Sequence, residues 1–119
     1  MLTFSGGLRV FLAIEPCDMR KGFEGLAGVV TDLLQESVTS GALFVFTNRR
    51  HTRLKILFWD RTGLWVCTKR LETGTFSWPT PDSASSSKKL ALTPEALALL
   101  TDGVDLRGGK LRAWYQRES

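Results

Sequence analysis

Apolar and polar positions alternate with period two along three stretches of the chain, and a 3.6-residue repeat lies between the first and the second. Leu8, Val10, Leu12 and Ile14 alternate with Arg9, Phe11 and Ala13, which predicts a strand over 8–14 that Pro16 ends. Phe23, Leu26, Ala27, Val30, Leu33 and Leu34 then follow at the spacing of one helical face, predicting a helix over 19–36 with Asp18 as its N-cap. Gly22, Gly25 and Gly28 fall on a single side of that helix, where close packing against a sheet is the expected use.

The central stretch, residues 41–70, reads as contiguous hairpins. Leu43, Val45 and Thr47 alternate with Phe44 and Phe46, a polar cluster over 48–52 turns the chain, and Leu54, Ile56 and Phe58 share a face opposite Lys55, Leu57 and Trp59. The residues Asp60, Arg61, Thr62 and Gly63 make a second turn. Leu64, Val66 and Thr68 follow, alternating with Trp65, Cys67 and Lys69. One face is therefore expected to be apolar, and the other to interleave Trp59 and Trp65 with Lys55 and Lys69. A short strand with Phe76 and Trp78 comes next, closed by Pro79. Residues 79–89 are Ser-rich and read as a flexible loop. Thr93, Pro94 and Glu95 are a helix start, with Leu92 placed to staple onto Leu97 and Gly103 as the stop. The tail over 107–119, with Trp114, is compatible with a strand, a docked helix or an arm.

These elements predict one α+β domain over residues 1–119: an antiparallel β-meander sheet backed by one main helix, with a second short C-terminal helix. A chain of 119 residues with 43% apolar content supports one core without staples. The two cysteines, Cys17 and Cys67, have no disulfide-framework spacing and read as reduced thiols. No secretory signal or membrane span is read from the sequence, so a cytoplasmic protein is expected.

Charge changes the picture. Residues 41–70 hold seven basic residues against the single acid Asp60, a net of +6, while residues 1–40 carry −2 and residues 71–119 balance. Charge confined to one segment makes a local field that attracts polyanions. Arg49, Arg50 and Arg53 crowd one turn, and the planar guanidinium fork suits phosphate; the bland reading is a solvated loop. Trp59 and Trp65 beside Lys55 and Lys69 are either core or a stacking platform for bases.

Catalysis has little support. Cys17, His51 and Cys67 lack metal-site spacing, and His51, the only histidine, sits in a turn between arginines. Ser85, Ser86 and Ser87 lack a nucleophile-elbow frame. A weak nuclease would depend on Asp60, which a turn already explains. No catalytic residue, metal or cofactor is expected.

Three blocks, DMRKGFEGLAGVV at 18–30, LFVFTNRRHTRLKILFWDRTGLWVCTKRLETGTFSWP at 43–79 and LALTPEALALLTDGVDL at 90–106, together resemble the TnpB-type accessory protein of insertion-sequence family sixty-six. That family is distinct from the RNA-guided nuclease of the same name. Asp18, Met19, Arg20, Lys21 and Gly22 match one motif of the family; Arg49, Arg50, Lys55, Trp59, Asp60, Lys69, Arg70 and Leu71 match its hairpin block, and His51 with Thr52 departs from it. The resemblance implies a non-catalytic accessory protein for DNA transposition of a bacterial insertion sequence, encoded beside a larger transposase. The expected partners are DNA, held electrostatically by Arg49, Arg50, Arg53, Lys55, Arg61, Lys69 and Arg70 with Arg20 and Lys21 extending the surface, and the transposase or another accessory protein. Under the alternative, an interaction module without direct DNA contact, Trp59, Trp65 and Trp114 are the anchors.

Overall fold

The computed structural model describes residues 7–80 and 87–103. Its elements are β1 (Val10–Ala13), α1 (Phe23–Asp32), β2 (Leu43–Thr47), β3 (Arg53–Trp59), β4 (Leu64–Arg70), β5 (Lys89–Leu92) and α2 (Pro94–Thr101). The five strands form one sheet in the order β4-β3-β2-β1-β5.

The α+β class stands, but the antiparallel meander covers only β2, β3 and β4. β1 and β2 pair in parallel, Val10 beside Leu43 and Leu12 beside Val45, because the connection between them contains α1 and is long enough to cross over. Every residue of β2 is buried, since both sheet faces are covered at the centre.

On one face, Leu26 and Val30 of α1, with Leu34 just after it, pack on Ala13, Phe44, Phe46 and Leu57. On the other, Leu97 and Leu100 of α2 join Val10, Leu12, Val45, Leu54 and Ile56, together with Phe76 and Trp78. The predicted strand around Phe76 and Trp78 is not one: the segment lies as a non-strand cover over the second core. It is held by the Trp78 indole N–H donating to the Ala13 carbonyl at 3.1 Å and by the Phe76 N–H donating to the His51 carbonyl at 2.7 Å.

Three further expectations are corrected. α1 is shorter than 19–36 and its N-cap is Gly22, with no side-chain cap; Asp18 instead accepts from the Arg20 N–H at 2.9 Å. A Cβ on Gly22 or Gly28 would meet nothing within 4 Å, and one on Gly25 only the Lys21 stem, so no sheet packs closely on these glycines. The Ser-rich stretch gives way to a strand before its predicted end, as β5 pairs antiparallel with β1 from Lys89 onward. Lys89 bonds the Leu34 carbonyl at 2.8 Å, pairs with Glu36 and lies 5.3 Å from the Phe11 ring, which fastens β5 to the end of α1. Residues 81–86 of the predicted loop and the 107–119 tail with Trp114 lie outside the described residues.

α2 starts as the sequence predicts. The Thr93 hydroxyl accepts from the Ala96 N–H at 3.0 Å, Pro94 opens the helix, and Leu92 and Leu97 are fully buried in one cluster. Gly103 turns the chain at φ +82°, a conformation glycine adopts without strain. Among the described residues no helix is long and apolar enough to cross a membrane.

Candidate nucleic-acid interface

The turn that links β2 to β3 is built around Asn48. Its Oδ1 accepts from the N–H groups of Thr52 at 2.9 Å and Arg53 at 3.1 Å, its Nδ2 donates to Thr52 Oγ1 at 3.0 Å, and its carbonyl accepts from the His51 N–H at 3.1 Å. An asparagine side chain supplies this set of bonds by mimicking a turn of backbone. His51 takes a left-handed φ of +59° and stacks on Trp78 with ring centroids 6.0 Å apart. The carbonyls of His51 and Thr52 accept from the N–H groups of Phe76 and Leu71, so the segment after β4 braces the turn from within. Arg49, Arg50 and Arg53 stay exposed on this fixed frame.

Facing the turn is the loop that precedes α1. The Cys17 N–H donates to the Thr47 carbonyl at 2.9 Å and hooks the loop onto the end of β2. Between them lies an open groove of about 430 Å³, with Pro16, Cys17, Asp18 and Met19 on one wall and Asn48, Arg49, Arg50 and Arg53 on the other. Lys55 reaches across from β3, its Nζ donating to the Lys21 carbonyl at 2.9 Å. Two of the three sequence blocks that carry the family resemblance, 18–30 and 43–79, thus meet in space.

The cations around the groove differ in state. Arg20 is engaged by Asp18 through contacts of 2.8 to 3.1 Å, and this bonding holds the Asp18 carboxyl down at about 2 and raises the Arg20 pKa. Burial pushes the Cys17 thiol up, against the opposing pull of Lys21 and Lys55. Among the described residues, none of the ion pairs involves Arg49, Arg50, Arg53, Lys21, Lys55 or Arg70. Arg70 joins the group because it stands directly opposite Arg53 across β3 and β4.

Two of the predicted cations are elsewhere. Arg61 occupies the turn at the far end of β3, roughly 20 Å along the strand at the usual rise per residue. Lys69 points to the other sheet face, where its Nζ donates to the Thr101 carbonyl at 2.6 Å at the end of α2. The predicted shared face of Trp59 and Trp65 does not form. Trp59 pairs with Leu64 and Phe58 with Trp65, and direct partners share a face, so the two tryptophans lie on opposite sides. Trp59 and Lys55 are on the α1 side, Trp65 and Lys69 on the α2 side. Trp59 is half-buried and Trp65 is 53% exposed. Sequence reasoning missed Asn48 as the organiser of the turn and residues 16–19 as the second wall; the Asn that opens the polar cluster was the available signal. Among the described residues no cluster of His, Cys, Asp and Glu could hold a metal ion.

The fold and its charge define a small α+β domain with a cationic groove at one end of the sheet. The chain matches the model of the IS66 Orf2-like protein family over residues 8–110 and belongs to that family, which carries a transposition-associated accessory role. Two similar proteins come from Sinorhizobium fredii (strain NBRC 101917 / NGR234), and both are described as uncharacterized. Protein y4jC is 36% identical over 105 residues, covering 88% of this chain and 86% of the relative. Protein y4hO is 36% identical over 107 residues, covering 90% of each. No solved structure matches the chain.

Proposed function

We propose that this protein serves transposition by binding DNA, without a reaction step of its own, through the groove between the residue 48–53 turn and the loop before α1. The observation that carries the reading is a preorganised set of cations with no carboxylate partner among the described residues: Arg49, Arg50 and Arg53 on a turn fixed by Asn48, with Arg70 abutting Arg53. Like charges held together cost stability, and a polyanion laid over them reverses the sign of that cost. Phosphate contacts of this type position a protein on DNA and carry no base information, so the groove supplies affinity rather than sequence choice. Lys21 extends the cationic surface, whereas Arg20 is largely neutralised by Asp18.

Equilibrium binding to a duplex from the terminal repeat of the element tests the assignment. The triple change Arg49→Ala, Arg50→Ala, Arg53→Ala is expected to weaken binding by about tenfold or more at fixed salt. Arg61→Ala, at the far end of the sheet, and Lys69→Ala, on the opposite face, are expected to leave it near wild type. Equal losses from all of these changes would mean that only net charge matters and would remove the groove from the account.

A further inference from the structure

Trp65 lies on the opposite sheet face from the groove. β4 is the end strand of the sheet and pairs only with β3, so among the described residues nothing covers its outer backbone edge along Leu64–Arg70. Lys69 and Arg70 sit at one end of that edge, and the half from Leu64 to Cys67 carries no charge. Exposed strand edges are templates for another strand, and charges are the usual guard against pairing.

Trp65 is held in place although it is half exposed. Its indole N–H donates to Asp60 Oδ2 at 2.6 Å, and its ring stacks on Phe58 at 6.1 Å and 10°. Asp60 Oδ1 is occupied by Thr62 and Gly63, so the turn is consumed in fixing the indole. The sole polar group of the indole is used internally, which leaves its apolar surface to offer outward. Two residues further along the same face is a cavity of about 300 Å³ lined by Leu54, Ile56 and Cys67, with Lys69, Thr101 and Asp102 at its rim.

We propose that the free edge of β4, with Trp65 and this cavity, takes an extended segment of a partner protein as an added strand, the segment being apolar where it lies beside Trp65 and Cys67 and acidic at the end that meets Lys69 and Arg70. Strand addition supplies affinity through main-chain hydrogen bonds and specificity through pockets for alternate side chains, and both parts are present here. The acidic character follows from the charge of the strand. β4 contains Lys69 and Arg70 at one end and no carboxylate, and an acidic end of the added segment would neutralise them. On this arrangement the protein bridges DNA at one end of the sheet and a protein segment along its edge.

A displayed library of random short peptides, selected on the immobilised full chain, is the direct test. Selection is expected to enrich peptides with apolar residues at alternate positions over one half and acidic residues at one end. Binding of the enriched peptide should fall by about tenfold or more on Trp65→Ala, as for an anchor residue. It should also fall on Lys69→Glu, and when alternate backbone amides of the peptide are N-methylated. Duplex DNA binding by Trp65→Ala should match wild type, which separates failure of this inference from failure of the groove assignment. Enrichment of no common pattern, or binding that survives both Trp65→Ala and N-methylation, would overturn the proposal. So would a concentration-dependent dimer of the chain that Trp65→Ala abolishes, since that would assign the edge to a second copy.

Discussion

Arg53 and Arg70 stand as direct cross-strand partners at one end of the β3 and β4 pair, two guanidinium groups with no ion-pair partner among the described residues. Directly opposed like charges destabilise a sheet, so stability and DNA affinity should respond to this pair in opposite directions. Arg70→Glu creates an attractive pair and is expected to raise Tm by about 2 °C while weakening duplex binding. Thermal unfolding and a binding isotherm on the same sample check both signs. A variant that loses stability and affinity together would indicate that Arg70 has a structural partner.

Asn48 is expected to matter for binding although it carries no charge. Asn48→Ala removes three side-chain hydrogen bonds from the turn and should cost about 1–3 kcal/mol of stability, the range for leaving part-buried partners unsatisfied. With the frame of the turn gone, the arginines lose their fixed spacing, and duplex affinity should fall with net charge unchanged. Chemical denaturation and binding at a temperature where the variant is folded measure the two effects separately.

The bond between Asp60 and Trp65 gives a pH signature. Bonding to the Trp65 indole, then to Thr62 and Gly63, holds the Asp60 carboxyl down at about 2. A carboxyl depressed in the folded state contributes stability that is fully present above its unfolded pKa of about 4 and is lost as pH falls towards the folded value. The indole N–H resonance of Trp65 in the folded protein should therefore hold its position down to about pH 3 and shift as pH falls through about 2. Asp60→Asn should abolish that titration.

Glycine and tryptophan substitutions separate the fold from the sites. Gly28 lies inside α1 with open space where a Cβ would go, so Gly28→Ala is expected to stabilise the protein by about 0.5–1 kcal/mol. Trp78 is 2% exposed and bonded to Ala13 across the second core, so Trp78→Ala should cost about 3–5 kcal/mol. Trp65→Ala, at an exposed edge, should cost far less. Denaturant midpoints for the three variants rank these effects.

The local rules that act within a few residues were legible in the sequence. Thr93 and Pro94 announced α2, and the alternation in Leu54, Ile56 and Phe58 assigned the faces of β3 correctly. Strand order was not legible, because alternation tells which side a residue faces and not which strand lies next to it. That is how β1 came to pair in parallel with β2 at the centre of the sheet. The placement of Trp59 and Trp65 failed for a different reason. A turn of four residues after Trp59 makes Leu64 its partner, and counting across the turn separates the tryptophans, whereas each strand read alone does not. β5 escaped because it is short and follows directly on a polar run, and its tie to the end of α1 comes from Lys89, a residue type with no preference for strands. The groove was half legible: charge marked the arginine turn, but the loop over 16–19 reaches it only through the parallel crossover that the sequence concealed.

The salt dependence of duplex binding tests the central claim most directly. If four or five of the groove cations contact phosphates, log affinity against log salt should fall with a slope of about −4, and the triple change Arg49→Ala, Arg50→Ala, Arg53→Ala should flatten it to about −1 to −2. A wild-type slope shallower than about −1, or a steep slope that the triple change leaves intact, would contradict the account.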